Sequence, residues 1–234
     1  MKLVRDQEFQ GYHDDADRRI IRGRVFSHLE FEHCLFVGCF LSVCKYPRQR
    51  SIWRHIRWID CQAHACTVYA AILDEVEVRH LKVTYSPLFM RDTVFRHVTF
   101  TGKIGRIVIL RDHNRTGRQR RRFDRAIQTF YQSVDWAIDI SQAEFFECDI
   151  RSSIPAHLIR RDPETQVVIK REKALLGAWK DIDLSATFWP LVIEMFLESQ
   201  APDVVLVAPK ANADFRKLLK GLQLLREAGV AEPD

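Results

Sequence analysis

The sequence predicts a mainly β fold wound from a short repeat, and three observations predict it. Apolar residues recur at every fifth position from Phe26 onward. A small residue, repeatedly a cysteine, stands two places before many of them. Both patterns stop for good after Ser153. A fixed short period is stronger evidence of architecture than local propensity, because each unit buries its apolar side only by stacking on its neighbours.

Taken in order, residues 1–20 are polar and read as an irregular N-terminal lead-in. Residues 21–153 carry the repeat. If the larger apolar residue of each unit is its centre, the first run of centres is Phe26, Phe31, Phe36, Leu41 and Tyr46. The second is Trp53, Trp58, Ala63, Val68, Leu73, Val78, Val83 and Leu88, followed by Phe95 and Phe100. Ile140, Phe145 and Ile150 close the series. All six cysteines (Cys34, Cys39, Cys44, Cys61, Cys66 and Cys148) hold the phase two places before a centre. They are therefore expected as inward-facing free thiols acting as small hydrophobes, not as disulfides or metal ligands. Reduced thiols, an N-terminus without a signal-like apolar core, and no apolar run long enough to span a bilayer point to a cytoplasmic protein with no membrane contact.

These units resemble the bacterial pentapeptide-repeat proteins over residues 24–105 and 136–152. The resemblance implies a right-handed four-sided β-helix solenoid, with twenty residues to a coil. On that period the two phase breaks, Tyr46 to Trp53 and Leu88 to Phe95, fall at one corner of successive coils. The same register stacks Phe36, Trp58, Val78 and Phe100 in a core column, with strands about 4.8 Å apart. Outside it, Glu32, Arg54, Asp74 and Arg96 form a column of alternating charge. Next to that run His33, His55, Glu75 and His97. Three imidazoles and a carboxylate are competent zinc ligands, but a straight ladder does not converge on a tetrahedral point. A solvated polar face is expected, with no metal and no cofactor.

Around Gly105 the phase fades, and a basic loop and helix insertion is expected over 106–134. Within it, residues 118–134 read as a helix, since Phe123, Ala126, Ile127, Phe130, Tyr131 and Val134 follow the i, i+3, i+4, i+7 pattern. Residues 154–234 are expected to form a mainly α-helical C-terminal cap or dimerisation segment. It contains a helix over 164–181 (with a short strand at 167–169 as the competing reading), an apolar helix over 185–199 interrupted near Pro190, a strand over 204–207 and a helix over 212–228. Phe215, Leu218, Leu219, Leu222 and Leu225 make the last helix's stripe. That stripe either covers the open end of the β structure, whose bare edge would template aggregation, or joins two copies as a homodimer.

Net charge is +5, but its distribution is uneven. Arg111, Arg115, Arg118, Arg120, Arg121, Arg122 and Arg125 crowd one segment, opposed there by Asp112 and Asp124. Several fall where a helix dipole disfavours cations, by about 0.3–1 kcal/mol each. Local stability argues against this arrangement, so it reads as a partner-binding site. An arginine fork pairs with carboxylates of an acidic protein surface or with phosphates. The segment lacks the interleaved exposed aromatics of a single-strand binder. No nucleophile elbow, phosphate loop or metalloprotease motif is present. Asp135 and Asp139 flank the return to the repeat, and His157 and Arg160 sit at the junction with the cap; none is assigned a catalytic role. The expected function is a non-enzymatic bacterial macromolecule-binding protein that docks a partner protein through the repeat face and basic insertion. The family resemblance implies an immunity or antitoxin type, with a toxin as the acidic partner. Nucleic-acid binding by the arginine cluster is the alternative. The DNA-mimic role of topoisomerase protectors, another implication of the resemblance, needs an acidic surface and is disfavoured, as is an enzyme with a C-terminal site.

Overall fold

A computed structural model of the chain describes residues 1–15, 23–151 and 153–232. The chain lays down strands in successive passes. The first is β1 (Lys2–Arg5), β2 (Glu8–Gln10) and β3 (His13–Asp15). The second is β4 (Val25–Glu32), β5 (Leu35–Val37) and β6 (Phe40–Val43), and the third is β7 (Ile52–Ile59), β8 (Gln62–His64) and β9 (Thr67–Tyr69). β10 (Ile72–Thr84), β11 (Leu88–Arg91) and β12 (Val94–Leu110) follow; helix α1 (Gly117–Tyr131) then precedes β13 (Ile138–Ile150) and β14 (Ile159–Arg160). Each pass lies parallel on the one before, with Phe31 opposite Trp58, Trp58 opposite Val78, and Val78 opposite Phe100. The result is a mainly β protein built on a curled parallel sheet.

Parallel strands ordinarily need a long crossover. Here the chain turns within each pass instead, at residues held in the left-handed region. His55, Asp60, Ala65, Ala70, Glu75, His80 and Tyr85 all have positive φ, one in every five residues. His28, His33, Asp92 and His97 do the same in their passes. That region costs an L-residue roughly 1–2 kcal/mol, and His, Asp and Asn tolerate it best. No β-branched residue stands at any of these eleven positions. The corners thus explain much of the histidine content.

Several expectations are corrected. The lead-in is not irregular where it is described: Val4 pairs with Phe31 and Phe9 with Phe36, extending the repeat to the N-terminus. Residues 16–20 of that expected lead-in lie outside the described residues. The core column is Phe31, Trp58, Val78 and Phe100; Phe36 lies instead between Phe9 and Ala63. The cause is the first phase break. It adds a whole unit as well as two residues, so β4 and β7 align at an offset of 27 while β7 and β10 align at 20. The second break also lies elsewhere: Thr84 still aligns with His64 at an offset of 20, but Phe89 aligns with Thr67 at 22. The two extra residues therefore lie between β10 and β11, at a different corner from the first break between β6 and β7. The repeat does not end at Gly105, because β12 continues to Leu110 and pairs there with β11 and β13. Its phase fades because irregularities after Arg79 and Thr99 shift the register. Gly105 itself marks a close approach, since a Cβ there would stand 2.6 Å from the Val83 backbone nitrogen.

Inside the curl, the aromatic centres stack along the strand spacing: Phe26 on Trp53 at 4.4 Å and Phe31 on Trp58 at 6.1 Å. Five cysteines are buried free thiols and Cys148, in the last long pass, is half-buried. Four of the buried thiols (Cys34, Cys39, Cys61 and Cys66) lean towards a carbonyl of the preceding pass, Cys34 to Val4 and Cys61 to Phe31 both at 3.4 Å. Burial pushes Cys61 up to about 12 and Cys66 up to about 11. On the outer side, Asp74 is fully buried between Arg54 and Arg96, at 2.7 and 2.6 Å. Glu32, expected in that column, pairs instead with Arg5, and Ser27 takes its place.

The C-terminal part has more residues in helices than in strands, but a short β ribbon lies at its centre. β15 (Gln166–Lys170) and β16 (Asp203–Val207) form an antiparallel ribbon, joined to β13 through Ile150 and Val205. The period-2 alternation of a strand divides its side chains. Val168, Val205 and Val207 face the main core, while Val167, Ile169, Val204 and Leu206 face a second one. α2 (Arg171–Leu175), α3 (Trp189–Glu198) and α4 (Phe215–Glu227) cover that second core. Most of the helix expected over 164–181 is therefore the strand β15 plus one short helix. Pro190 does not interrupt α3; it sits in its first turn, where a missing N–H costs nothing. Leu218, Leu222 and Leu225 of α4 are buried in this chain's own core, so that stripe is not free to join two copies. Among the described residues no helix is long and apolar enough to cross a membrane.

Candidate partner-binding surface

Two excursions leave the sheet at the same corner: residues 44–51, between β6 and β7, and residues 111–137, between β12 and β13. Stacked excursions meet, which is the usual fate of insertions on one face of a repeat. A short 3₁₀ turn at Pro47–Gln49 lies against α1. Gln119 fastens the two by donating from Nε2 to the Lys45 carbonyl at 3.2 Å.

The seven arginines expected to bind a partner divide into two groups. Arg115 is buried. Its Nε meets Asp92 at 2.7 Å and Asp112 at 3.5 Å, its Nη1 donates to the Cys44 carbonyl, and its guanidinium lies 3.7 Å from the Phe123 ring centre. Arg50 packs on the same ring and donates to the Asp92 carbonyl, and burial lowers its pKa to about 10. Arg120 donates to the Asp112 carbonyl at 2.9 Å and approaches Asp124. Arg111 is largely buried beside Asp124 at 3.8 Å, and burial lowers its pKa too. These three of the seven, Arg111, Arg115 and Arg120, are engaged within the chain and hold the insertion in place.

Arg118, Arg121, Arg122 and Arg125 are exposed. The first, third and fourth stand at i, i+4 and i+7, along one face of about 10 Å of helix. The opposite face of α1 buries Phe123, Ile127 and Tyr131. Thr116 makes no side-chain cap and the first turn holds no carboxylate. Nothing local therefore offsets the repulsion between Arg118, in that first turn, and the helix dipole.

Beside this stripe runs an open groove of about 740 Å³, lined by Tyr46, Pro47, Arg48, Arg122, Arg125, Ala126 and Thr129. Lys45, Arg48 and Arg122 gather around the Tyr46 ring at 5.8, 5.5 and 5.7 Å. Tyr46 was expected as a core centre; it is half-exposed here because the phase break lifts it off the sheet. Among the described residues no carboxylate pairs with Lys45, Arg48, Arg118, Arg121, Arg122 or Arg125. Arg48 and Tyr46 were missed in the sequence, because counting Tyr46 as a repeat centre hid the excursion that brings it to α1.

The other candidate residues do not assemble a site. His28, not His33, begins the histidine column. Its ring lies 4.7 Å from that of His55, and His55 Nδ1 meets Glu75 at 2.8 Å. His97 pairs with Asp135 at 2.6 Å and stacks on Trp136; its hydrogen bond holds the Asp135 carboxyl below the usual range. His33 lies between Asp6 and Asp60, at 3.7 and 3.9 Å. The imidazoles run in a line along the corners and do not converge. Asp139 accepts from the Ser141 hydroxyl, Arg160 covers the Trp136 ring at 4.1 Å, and His157 is exposed. No family model matches this chain, and neither a curated protein nor a solved structure matches it.

Proposed function

We propose that this is a non-enzymatic docking protein which binds an acidic partner protein through the exposed face of α1 and the groove beside Tyr46. One observation carries the reading. Cations from two segments far apart in sequence, Lys45 and Arg48 on one side and Arg122 and Arg125 on the other, converge without a carboxylate. Meanwhile Asp92, Asp112 and Asp124 are all engaged with the neighbouring arginines that anchor the insertion. Like charges gathered in a groove repel until a counter-charge arrives, and charge complementarity of this kind favours encounter and orientation with an acidic partner. The curled sheet is, on this reading, a pentapeptide-type β-helix serving as a rigid platform. The left-handed residue at every fifth position and the parallel pass-on-pass register support that. An immunity-type role, neutralising an acidic toxin, belongs to this class.

Nucleic acid is the competing partner, and one observation favours it: an aromatic ring lies beside the arginine stripe. The ring is already flanked by three cations, however, which leaves it poorly placed to stack a base. Affinity capture from nuclease-treated lysate of the source cells tests the choice. Wild type should retain an acidic protein that the Arg48→Ala, Arg122→Ala, Arg125→Ala triple variant loses. Retention of nucleic acid alone, lost on nuclease treatment, would reverse the assignment.

A further inference from the structure

The C-terminal unit presents a second surface of different chemistry. α2 packs against α3, and Ala174, Trp189, Ile193 and Phe196 on these two helices join the unit's own core. Their outward side is apolar as well. Leu175 and Leu176 are 64% and 77% exposed, and Phe188, Leu191 and Met195 are 46%, 59% and 39% exposed. Phe188, just before α3, and Leu191 and Met195 within it stand at i, i+3 and i+7. Scattered exposed leucines need no explanation, but a cluster of large side chains on one face marks a contact surface.

Charge decides what covers it. Glu194 and Glu198 share this face, α3 carries no cation, and neither carboxylate is ion-paired among the described residues. An anionic membrane surface would be repelled by them. Two-fold self-association about an axis through α3 would set that face against its own copy, carboxylates towards carboxylates. Head-to-tail stacking on the chain's own basic helix fails for another reason: the outward face of α1 offers arginines and no large apolar side chain. Lys173 and Lys180 are exposed on the α2 side, so the demand for positive charge comes from the α3 side.

We propose that the α2–α3 face docks a basic amphipathic helix of a partner protein. The guest's apolar residues cover Leu176, Phe188, Leu191 and Met195, while its lysines or arginines pair with Glu194 and Glu198. Helix-in-groove recognition of this kind uses i, i+3, i+4 and i+7 anchors.

The test titrates the intact protein with a synthetic amphipathic helix of leucine and lysine, and with the same peptide carrying glutamine for lysine. Saturable one-to-one binding is expected for the lysine peptide, with the glutamine peptide at least about tenfold weaker. Leu191→Asp with Met195→Asp, and separately Glu194→Lys with Glu198→Lys, should each weaken the lysine peptide by about tenfold or more. All four positions are exposed, so circular dichroism should be unchanged, and the charge-reversal pair stands in if the aspartate pair misfolds. Equal binding of the two peptides, no binding of the lysine peptide, or binding untouched by charge reversal would overturn the proposal. So would a dimer of the intact protein that Leu191→Asp dissolves, or attachment to anionic vesicles.

Discussion

At the scale of single residues, Asp74 shows how charge is used on this sheet. It is the fully buried centre of a three-strand ladder, with Arg54 on one side and Arg96 on the other. Burial alone would raise its pKa, but the hydrogen bonds from Arg96 and Arg54 outweigh that and hold the carboxyl below the usual range. A depressed carboxyl stabilises the fold above its unfolded pKa, about 3.9, and that stabilisation is lost as pH falls through the folded value. Urea unfolding should therefore weaken below about pH 4 in wild type, and Asp74→Asn should remove that share of the acid sensitivity. At neutral pH the same variant should cost about 1.5 kcal/mol, because two half-exposed arginines lose their shared counter-charge but remain solvated. An unchanged acid limb would show that the ladder is not the titrating element. The alternation of Arg54, Asp74 and Arg96 was legible in the sequence, because those three passes keep a nearly constant spacing. Glu32 was misassigned because one excursion upstream of Arg54 is a unit longer than its phase suggested.

At the scale of elements, two features carry the account: the corners and the anchored insertion. Ala65 is an exposed corner with φ of 51°, a strained conformation for alanine. Ala65→Gly should stabilise the protein by roughly 0.5–1 kcal/mol in urea melts, the reverse of its usual effect in a strand. A loss of stability would mean the corner is not left-handed in solution. For the insertion, Arg115→Ala should destabilise by about 3 kcal/mol, since it leaves Asp92 buried without its cation. Arg122→Ala, on the exposed face, should stay within about 0.5 kcal/mol of wild type. Thermal melts of the two variants separate anchor from contact. Helix α1 was readable from the spacing of Phe123, Ile127 and Tyr131. The division of the arginines was not, because the carboxylate that buries Arg115 belongs to Asp92, a corner of the preceding pass.

At the scale of the molecule, one period organises the chain, and its failures build the proposed binding surface. The repeat reaches the N-terminus, further than its apolar centres alone suggest; it does not fade at Gly105 but runs on to Leu110, and β13 resumes it as far as Ile150. The excursions it cannot absorb, residues 44–51 and 111–137, stack at one corner and bring Arg48 to Arg122 and Arg125. Nothing in either stretch alone announces that meeting. The C-terminal ribbon was half-legible: residues 204–207 read as a strand, while the strand at 167–169 stood only as the competing reading to a helix, because the pattern around it is helical. Together the chain carries a basic face on the insertion and an apolar, acid-edged face on α2 and α3.

The basic face is the central claim, and a fluorescence titration of the intact protein with labelled polyglutamate, run beside a labelled DNA duplex at the same salt, tests it most directly. Three proteins are compared: wild type, the Arg48→Ala, Arg122→Ala, Arg125→Ala variant, and a control with Arg79→Ala, Lys82→Ala and Lys103→Ala, which removes equal charge from exposed positions elsewhere on the sheet. The account predicts polyglutamate binding that falls about tenfold or more in the first variant and little in the control. Equal losses in both variants, or tighter binding to the duplex than to polyglutamate in wild type, would contradict it.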